Sequence, residues 1–228
     1  MEMIDLKKYF KNNARIGDIA TTTSFGLLPR IIYKKTWGKR RKLLPYRKRA
    51  HLGTHVAIVI KYRGKWCFIE MDATSVQKRY YYTLTNEIFT PREYAQVKHA
   101  VERECIAFRI VSGCEITPWK EYATDNLRSP HICWIGRHPE VGTVAEDMNE
   151  WYINKYRYGV KYDFCDLPTF MEWNKRIGIV GSKNEYICSE LPEAAFQVMN
   201  IRTRDYSKPW SPMDWQKDSK MVTIESMG

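Results

Sequence analysis

Residues 55–72 carry the sequence HVAIVIKYRGKWCFIEMD, in which two apolar segments flank the dipeptide Arg63-Gly64. The segments 55–62 and 65–71 are rich in Val, Ile, Phe and Trp, the residue types that favour strands. A two-residue connection ending in Gly is typical of a tight turn between antiparallel strands. The stretch therefore predicts a β-hairpin, and the other predicted elements extend outward from it.

The turn fixes which side chains of the hairpin face each other. With the turn at positions 63 and 64, the numbers of opposite residues sum to 127, so Asp72 lies opposite His55. Glu70 lies on the same face and on the diagonal from His55, about 7–8 Å away at the backbone, which the two side chains can span. Either carboxylate, that of Glu70 or that of Asp72, can therefore hold the imidazole. Such a pair is a catalytic base only beside a nucleophile, and otherwise a structural hydrogen bond.

The candidate nucleophile is Cys188, in the sequence YICSEL at residues 186–191. The pattern that follows predicts a helix from Ser189 to about Asn200, with Pro192 tolerated in its first turn. A helix N-terminus offers free backbone N–H groups and partial positive charge, which stabilise a thiolate and a developing oxyanion. The position indicates nucleophilic catalysis, and an inert buried thiol is the alternative.

Spacing and capping residues predict the remaining elements. Further strands are expected at 16–22, 79–85 and 106–112, and helices at 90–104 and, from a capping box at residues 143–146, up to Gly159. No repeat or linker divides the chain. We therefore predict one α+β domain over residues 1–228, with an antiparallel sheet packed against helices.

Composition excludes several protein classes. The chain has 228 residues, 44% hydrophobic and 14% aromatic, which supplies one sizeable core and excludes a disordered chain. The apolar runs are a few residues long, whereas a transmembrane helix needs about 20, so no transmembrane segment is predicted. The beginning of the chain lacks the pattern of a secretion signal, which predicts a cytoplasmic location. The six cysteines lack zinc-site spacing, so we predict reduced thiols and neither metal nor cofactor.

The positive charge is concentrated in one segment. The net charge is +11, yet no acidic residue lies between Asp18 and Glu70, an interval with thirteen Lys and Arg residues. Ten of them fall from Arg30 to Arg49, which predicts a basic loop insertion. Such a segment attracts anionic polymers, membrane surfaces or nucleic acid through long-range electrostatics, and charge alone does not distinguish these partners from a merely solvated loop.

Four landmarks together resemble the circularly permuted branch of the NlpC/P60 superfamily of papain-like thiol hydrolases, the branch of the YiiX/YebB-like and poxvirus G6-like proteins. The landmarks are RIGDI at 15–19, THVAIV at 54–59, FIE at 68–70 and YICSEL at 186–191. Their order of His, acid and Cys resembles the permuted branch, because ordinary members place Cys first. The resemblance implies a permuted papain-like fold over most of the chain.

The resemblance also implies roles for individual residues. It assigns Cys188, His55 and Glu70 to a catalytic triad, and it places Tyr162 near the nucleophile, where its hydroxyl would help to hold an oxyanion. The sequence WSPMD at 210–214 resembles the closing element of the family, for which we expect a structural role.

The function expected from these features is that of a cysteine amidase or peptidase-type hydrolase. It would cleave an amide bond of a peptide or peptidoglycan, or an acyl bond, through an acyl-enzyme, with the basic segment recruiting an anionic substrate. One alternative is a lipid acyltransferase or acyl hydrolase of the lecithin-retinol acyltransferase type. The other, less favoured, is a nucleic-acid-binding protein that uses Tyr33, Trp37 and Tyr46 and has an idle site.

Overall fold

The computed structural model describes residues 4–22, 53, 55–82, 88–89, 106–124, 132–162, 185–201 and 211–226. The basic segment from Arg30 to Arg49 and the helix predicted at 90–104 lie outside these residues. The strands are β1 (Ile19–Thr22), β2 (His55–Tyr62), β3 (Lys65–Tyr82), β4 (Ile88–Phe89), β5 (Ile106–Pro118), β6 (Ile132–Arg137), β7 (Lys161–Tyr162), β8 (Glu185–Tyr186) and β9 (Val222–Ser226). The α-helices are α1 (Leu6–Asn12), α2 (Trp119–Thr124), α3 (Ala145–Tyr158), α4 (Glu190–Val198) and α5 (Pro212–Lys217).

The strands form one sheet in the order β8-β7-β5-β3-β2-β1-β6-β9, and β4 pairs with β3. All neighbours pair antiparallel except β7 and β8, which are parallel. The described part of the chain is thus a predominantly antiparallel sheet with helices, which is compatible with the predicted α+β class.

The hairpin that the sequence predicts forms the centre of this sheet. Strands β2 and β3 pair in the predicted register, with Ala57 opposite Glu70. Arg63 and Gly64 both have positive φ angles, 53° and 74°, as a tight two-residue turn with right-handed strand twist requires. The strand predicted at 79–85 is instead the distal part of β3, which continues through a register shift after Asp72 along β5.

Alternating side chains of the hairpin support two apolar cores. Val56, Ile58 and Ile60 lie in one core, which also holds buried residues of α3, α4 and α5. Ala57 and Val59 lie in the other core, together with buried residues of α1 and α2. The buried strands therefore carry apolar side chains on both faces, and this explains why their sequence reads as an almost continuous hydrophobic run.

Two predicted element starts are wrong for local reasons. Strand β1 begins at Ile19 rather than at residue 16, because Gly17 adopts a left-handed conformation with φ of 82° in the turn before it. Helix α3 has no capping box: the hydroxyl of Thr143 donates to the carbonyl of Glu140 in a preceding 3₁₀ helix, and the N-cap is Val144. The predicted end at Gly159 is confirmed, with φ of 66°.

Among the described residues, no helix is both long enough and apolar enough to span a membrane.

Candidate active site

The site begins with an ion pair between His55 and Glu70 across the hairpin. His55 is the first residue of β2, and its Nε2–H group donates a hydrogen bond of 2.8 Å to Oε2 of Glu70 on β3. The Glu70 side chain is 2% exposed and the His55 side chain 18%, so the imidazole is the part of the pair that solvent can reach. Asp72, the second orienting acid considered from the sequence, is not the residue that makes this bond.

Cys188 lies in the turn between β8 and α4, close enough to His55 for its sulfur to raise the pKa of the imidazole. Because Glu70 occupies Nε2, Nδ1 is the ring nitrogen left for the sulfur. Cys188 belongs to the core beside α3 and α4, whereas Ala57, on the same face of β2 as His55, belongs to the opposite core. His55 is the first residue of β2, so no further residue of this strand lies between the imidazole and the turn that carries Cys188. The structure thus brings together Cys188, His55 and Glu70 in a row.

The surroundings of His55 favour its charged form. Burial by itself lowers the pKa of His55, but negative charge on Cys188, the hydrogen bond to Cys188 and the hydrogen bond and charge of Glu70 outweigh it. The pKa of His55 consequently lies well above its usual value. An imidazolium between a thiol group and a carboxylate is the arrangement that stabilises a thiolate nucleophile.

The turn that carries Cys188 is braced from both sides. The carboxylate of Glu190 accepts a 2.9 Å hydrogen bond from the backbone N–H of Ile187, which closes the turn at the start of α4. The indole N–H of Trp215 donates to the carbonyl of Ser189 over 3.4 Å. Both contacts hold backbone on either side of the sulfur, so the position of Cys188 is set by the fold.

Residues 211–214, at the start of α5, support this bracing. Ser211 and Asp214 form a capping box, in which the Asp214 carboxylate accepts 2.8 Å and 2.6 Å hydrogen bonds from the backbone N–H and the hydroxyl of Ser211. The cap fixes the first turn of α5, the helix that carries Trp215. The local geometry is consistent with the structural role expected for this segment.

Tyr162 is the fourth residue that the resemblance assigns to the site. It is the last residue of β7 and pairs in parallel with Tyr186, which precedes Cys188 by two residues. The backbone of Tyr162 therefore lies one strand from the start of the Cys188 turn. The side chain of Tyr162 lies outside the described residues, and the contact of its hydroxyl with an oxyanion stays a prediction.

Three carboxylates lie close together, and one of them is the partner of His55. Oxygen atoms of Glu70, Asp72 and Glu115 all lie within 4.8 Å of one another, and Glu115 is opposite Glu70 on β5. Within the described ranges, these are the residues grouped closely enough to hold a cation.

Sequence reasoning did not identify Tyr122 as a neighbour of the site. This residue of α2 is fully buried, and its hydroxyl donates a 3.3 Å hydrogen bond to Oε2 of Glu70, the oxygen that also accepts from His55. Tyr122 is 52 residues from Glu70 in the chain, and no local motif marks it. Its contact depends on how β5 returns alongside β3.

Asp18, in the segment that resembles the opening strand of the family, is a buried structural residue. The Arg137 guanidinium donates to both of its carboxylate oxygens over 2.6 Å and 2.7 Å, and the Tyr9 hydroxyl donates over 2.5 Å. The backbone carbonyl of Asp18 accepts from the N–H of Val59. Asp18 thereby joins α1, β6 and the strand that carries His55.

The other described cysteines lack the surroundings of Cys188. Cys67, Cys114 and Cys133 are buried and form no disulfide among the described residues. Burial, with a smaller contribution from the charge of Glu121, raises the pKa of Cys67 to about 11, which keeps it a thiol at neutral pH. Cys105 and Cys165 lie outside the described residues.

A cavity of about 310 Å³ lies at the turn end of the hairpin, away from the imidazole. Its walls include Arg15, Lys61, Trp66 and Arg137. Lys61 and Trp66 are opposite each other next to the turn, whereas His55 is at the other end of β2. The cavity is therefore separate from the Cys188 site.

No protein-family model matches the chain, and no curated protein matches it in sequence.

Proposed function

We propose that this protein is a cysteine hydrolase that cleaves an amide or acyl bond through a covalent acyl-enzyme. The observation that carries the proposal is the position of the His55 ring, which hydrogen bonds to Glu70 and lies close enough to Cys188 for the sulfur to raise the pKa of the ring. A thiol, an imidazole and a buried carboxylate in this order are the parts that nucleophilic catalysis requires.

In the first half of the reaction the Cys188 thiolate attacks the substrate carbonyl carbon and forms a tetrahedral oxyanion. The His55 imidazolium then gives its proton to the leaving amine or alcohol as the bond to carbon breaks, which leaves a thioester on Cys188. In the second half, neutral His55 takes a proton from water, and the resulting hydroxide equivalent displaces the thiolate as the acid product forms. Glu70 fixes the ring and stabilises each imidazolium that forms.

The start of α4 is suited to the oxyanion. Helix α4 has nine residues, its N-cap is Ser189, and the side chain of Ser189 makes no cap hydrogen bond. The partial positive charge of this helix end would favour both the thiolate and the oxyanion formed next to it. Tyr162, one strand away, is the side chain that the family resemblance adds to this role.

The substrate class proposed is a peptide, peptidoglycan or lipid acyl group, with the basic segment from Arg30 to Arg49 attracting an anionic surface or polymer. Transfer of the acyl group to an amine or lipid instead of water would use the same first half-reaction. Products formed with and without an added acceptor amine separate the two outcomes.

The proposal is tested by replacing the nucleophile. Cys188→Ala should lower turnover of peptide amides, peptidoglycan fragments or acyl esters by at least about 1000-fold, because no other group can form the acyl-enzyme. The matched control is Cys114→Ala, at another buried cysteine without a disulfide, and this variant should retain activity within about twofold once folding is confirmed by circular dichroism. A folded Cys188→Ala variant that turns over a substrate at the wild-type rate refutes the proposal.

A further inference from the structure

The geometry points to Tyr122 as a positioning residue of the proposed hydrolase: its hydroxyl holds the Glu70 carboxylate in the orientation that keeps His55 aligned with Cys188. This inference rests on the proposed function and deepens it. It adds a fourth group to the row of Cys188, His55 and Glu70. This group lies on α2, a helix outside the sequence motifs of the site.

Two hydrogen bonds share one oxygen atom of Glu70. Oε2 of Glu70 accepts the His55 Nε2–H bond at 2.8 Å and the Tyr122 hydroxyl bond at 3.3 Å. A carboxylate oxygen has two lone pairs, so two donors can share it without displacing each other. With both donors in place, the carboxylate cannot rotate without losing at least one of these bonds.

Aromatic packing fixes the direction of the Tyr122 hydroxyl. The Tyr122 ring is fully buried and packs against Phe68, with ring centroids 4.5 Å apart. Phe68 in turn contacts Phe10, which stacks on Trp119 at the start of α2. A ring held between packed neighbours has no low-energy alternative position, so the hydroxyl stays directed at Glu70.

The Glu70 carboxylate has little solvent around it to supply hydrogen bonds. Its side chain is 2% exposed, and oxygen atoms of Glu70, Asp72 and Glu115 lie within 4.8 Å of one another. The donors that orient the carboxylate must therefore come from the protein, and the Tyr122 hydroxyl is one of them.

The ionisable groups that the described residues place around Glu70 are His55 on β2, Asp72 on β3 and Glu115 on β5, and Cys188 before α4 interacts with His55. Without the Tyr122 hydroxyl, the Glu70 carboxylate can turn away from His55. The imidazolium then loses part of its stabilisation, and a thiolate at Cys188 beside it loses the same support. Removal of the hydroxyl should therefore move the alkylation of Cys188 to higher pH.

The test measures alkylation of Cys188 by iodoacetamide against pH, with labelled peptides quantified by mass spectrometry. It requires no known substrate. In Tyr122→Phe the midpoint for labelling of Cys188 should rise by about half a pH unit, the size of one modest hydrogen bond. The matched control is Tyr152→Phe. Tyr152 is also fully buried, but its hydroxyl has no hydrogen-bond partner among the described residues, and its removal should leave the midpoint unchanged.

A second substitution covers the outcome in which Tyr122→Phe fails to fold. Incorporation of 3-fluorotyrosine at position 122 keeps the shape of the ring and makes the hydroxyl a stronger donor, so it should move the midpoint to lower pH. A purely structural Tyr122 would give no shift in either variant, and that result in folded protein overturns the inference. If wild-type Cys188 itself shows no labelling at lower pH than an ordinary thiol, the proposed function fails first, so the two failures are distinguishable.

Discussion

His55 keeps its proton in a place where burial alone would remove it. The loss of solvent disfavours the protonated ring, but the interactions with Cys188 and Glu70 favour it more strongly. The pKa of His55 therefore rises well above its usual value. For a group with a raised pKa, the contribution to folding stability is fully present below the unfolded pKa of about 6.5. That contribution is lost as the pH rises through the folded pKa. The same window is where an imidazolium can support a thiolate.

Replacement of Glu70 tests how much its charge contributes to the protonated state of His55 and to catalysis. In Glu70→Gln the amide has nearly the shape of the acid but no charge, so the imidazolium loses its partner and His55 releases its proton at lower pH. We expect kcat/KM to fall by about 100-fold, with the basic limb of the pH–rate profile moved to lower pH.

Asp72→Asn is the control for that prediction. Asp72 lies in the same carboxylate cluster, but the hydrogen bond to His55 is made by Glu70. We expect Asp72→Asn to change kcat/KM by less than about threefold, because neighbouring charge acts more weakly than a direct bond. Equal losses in the two variants would show that the cluster acts only through its total charge.

At the scale of elements, the hairpin is the most predictable part, because residues close together in the sequence determine its structure. The alternation of apolar residues and the Arg63-Gly64 turn determine the register, and the register places Glu70 within reach of His55. The capping prediction at residues 143–146 failed because the same Thr hydroxyl can serve a 3₁₀ helix or an α-helix, and the sequence does not show which carbonyl is nearby.

Two glycines with left-handed backbone should respond differently to an added methyl group. At Gly64, with φ of 74°, nothing lies within 4 Å of an added Cβ, so Gly64→Ala should cost about 1 kcal/mol of unfolding free energy from the backbone alone. At Gly17, with φ of 82°, the Cβ would lie 2.5 Å from Cγ1 of Val141 and 2.9 Å from the sulfur of Met148. Gly17→Ala should therefore cost about 3 kcal/mol or more.

Urea unfolding of the two variants measures the difference. Because both positions have similar φ angles, the excess cost at Gly17 reports the packing of the turn before β1 against the helical side of the sheet. Equal losses of unfolding free energy at the two positions would mean that Val141 and Met148 move aside without cost. The explanation given for the start of β1 would then be wrong.

At the scale of the whole molecule, the least predictable contacts join distant parts of the chain. The bond between Arg137 and Asp18 spans 119 residues, and that between Tyr122 and Glu70 spans 52. Neither has a local sequence signal, since each depends on which strands become neighbours in the sheet. Only the family resemblance predicts that Cys188 lies beside His55. The helix pattern predicts that Cys188 precedes a helix, but it does not predict which residue lies next to the sulfur.

The distribution of charge along the chain is also a property of the whole molecule. The excess of +11 comes from an interval without acidic residues, and its densest part, residues 30–49, lies outside the described residues. Its role in attracting an anionic substrate therefore stays a prediction from composition. The three residues of the site, Cys188, His55 and Glu70, all lie within the described residues.

The most direct test of the central claim is the reactivity of each cysteine towards iodoacetamide from pH 5 to pH 9, measured in the wild type and in His55→Gln. We predict that Cys188 is alkylated at lower pH than Cys67, Cys114 and Cys133, and that His55→Gln abolishes this advantage without unfolding the protein. If Cys188 reacts no more readily than these buried thiols at any pH, or reacts equally in both proteins, imidazole and sulfur do not act together, which contradicts the account.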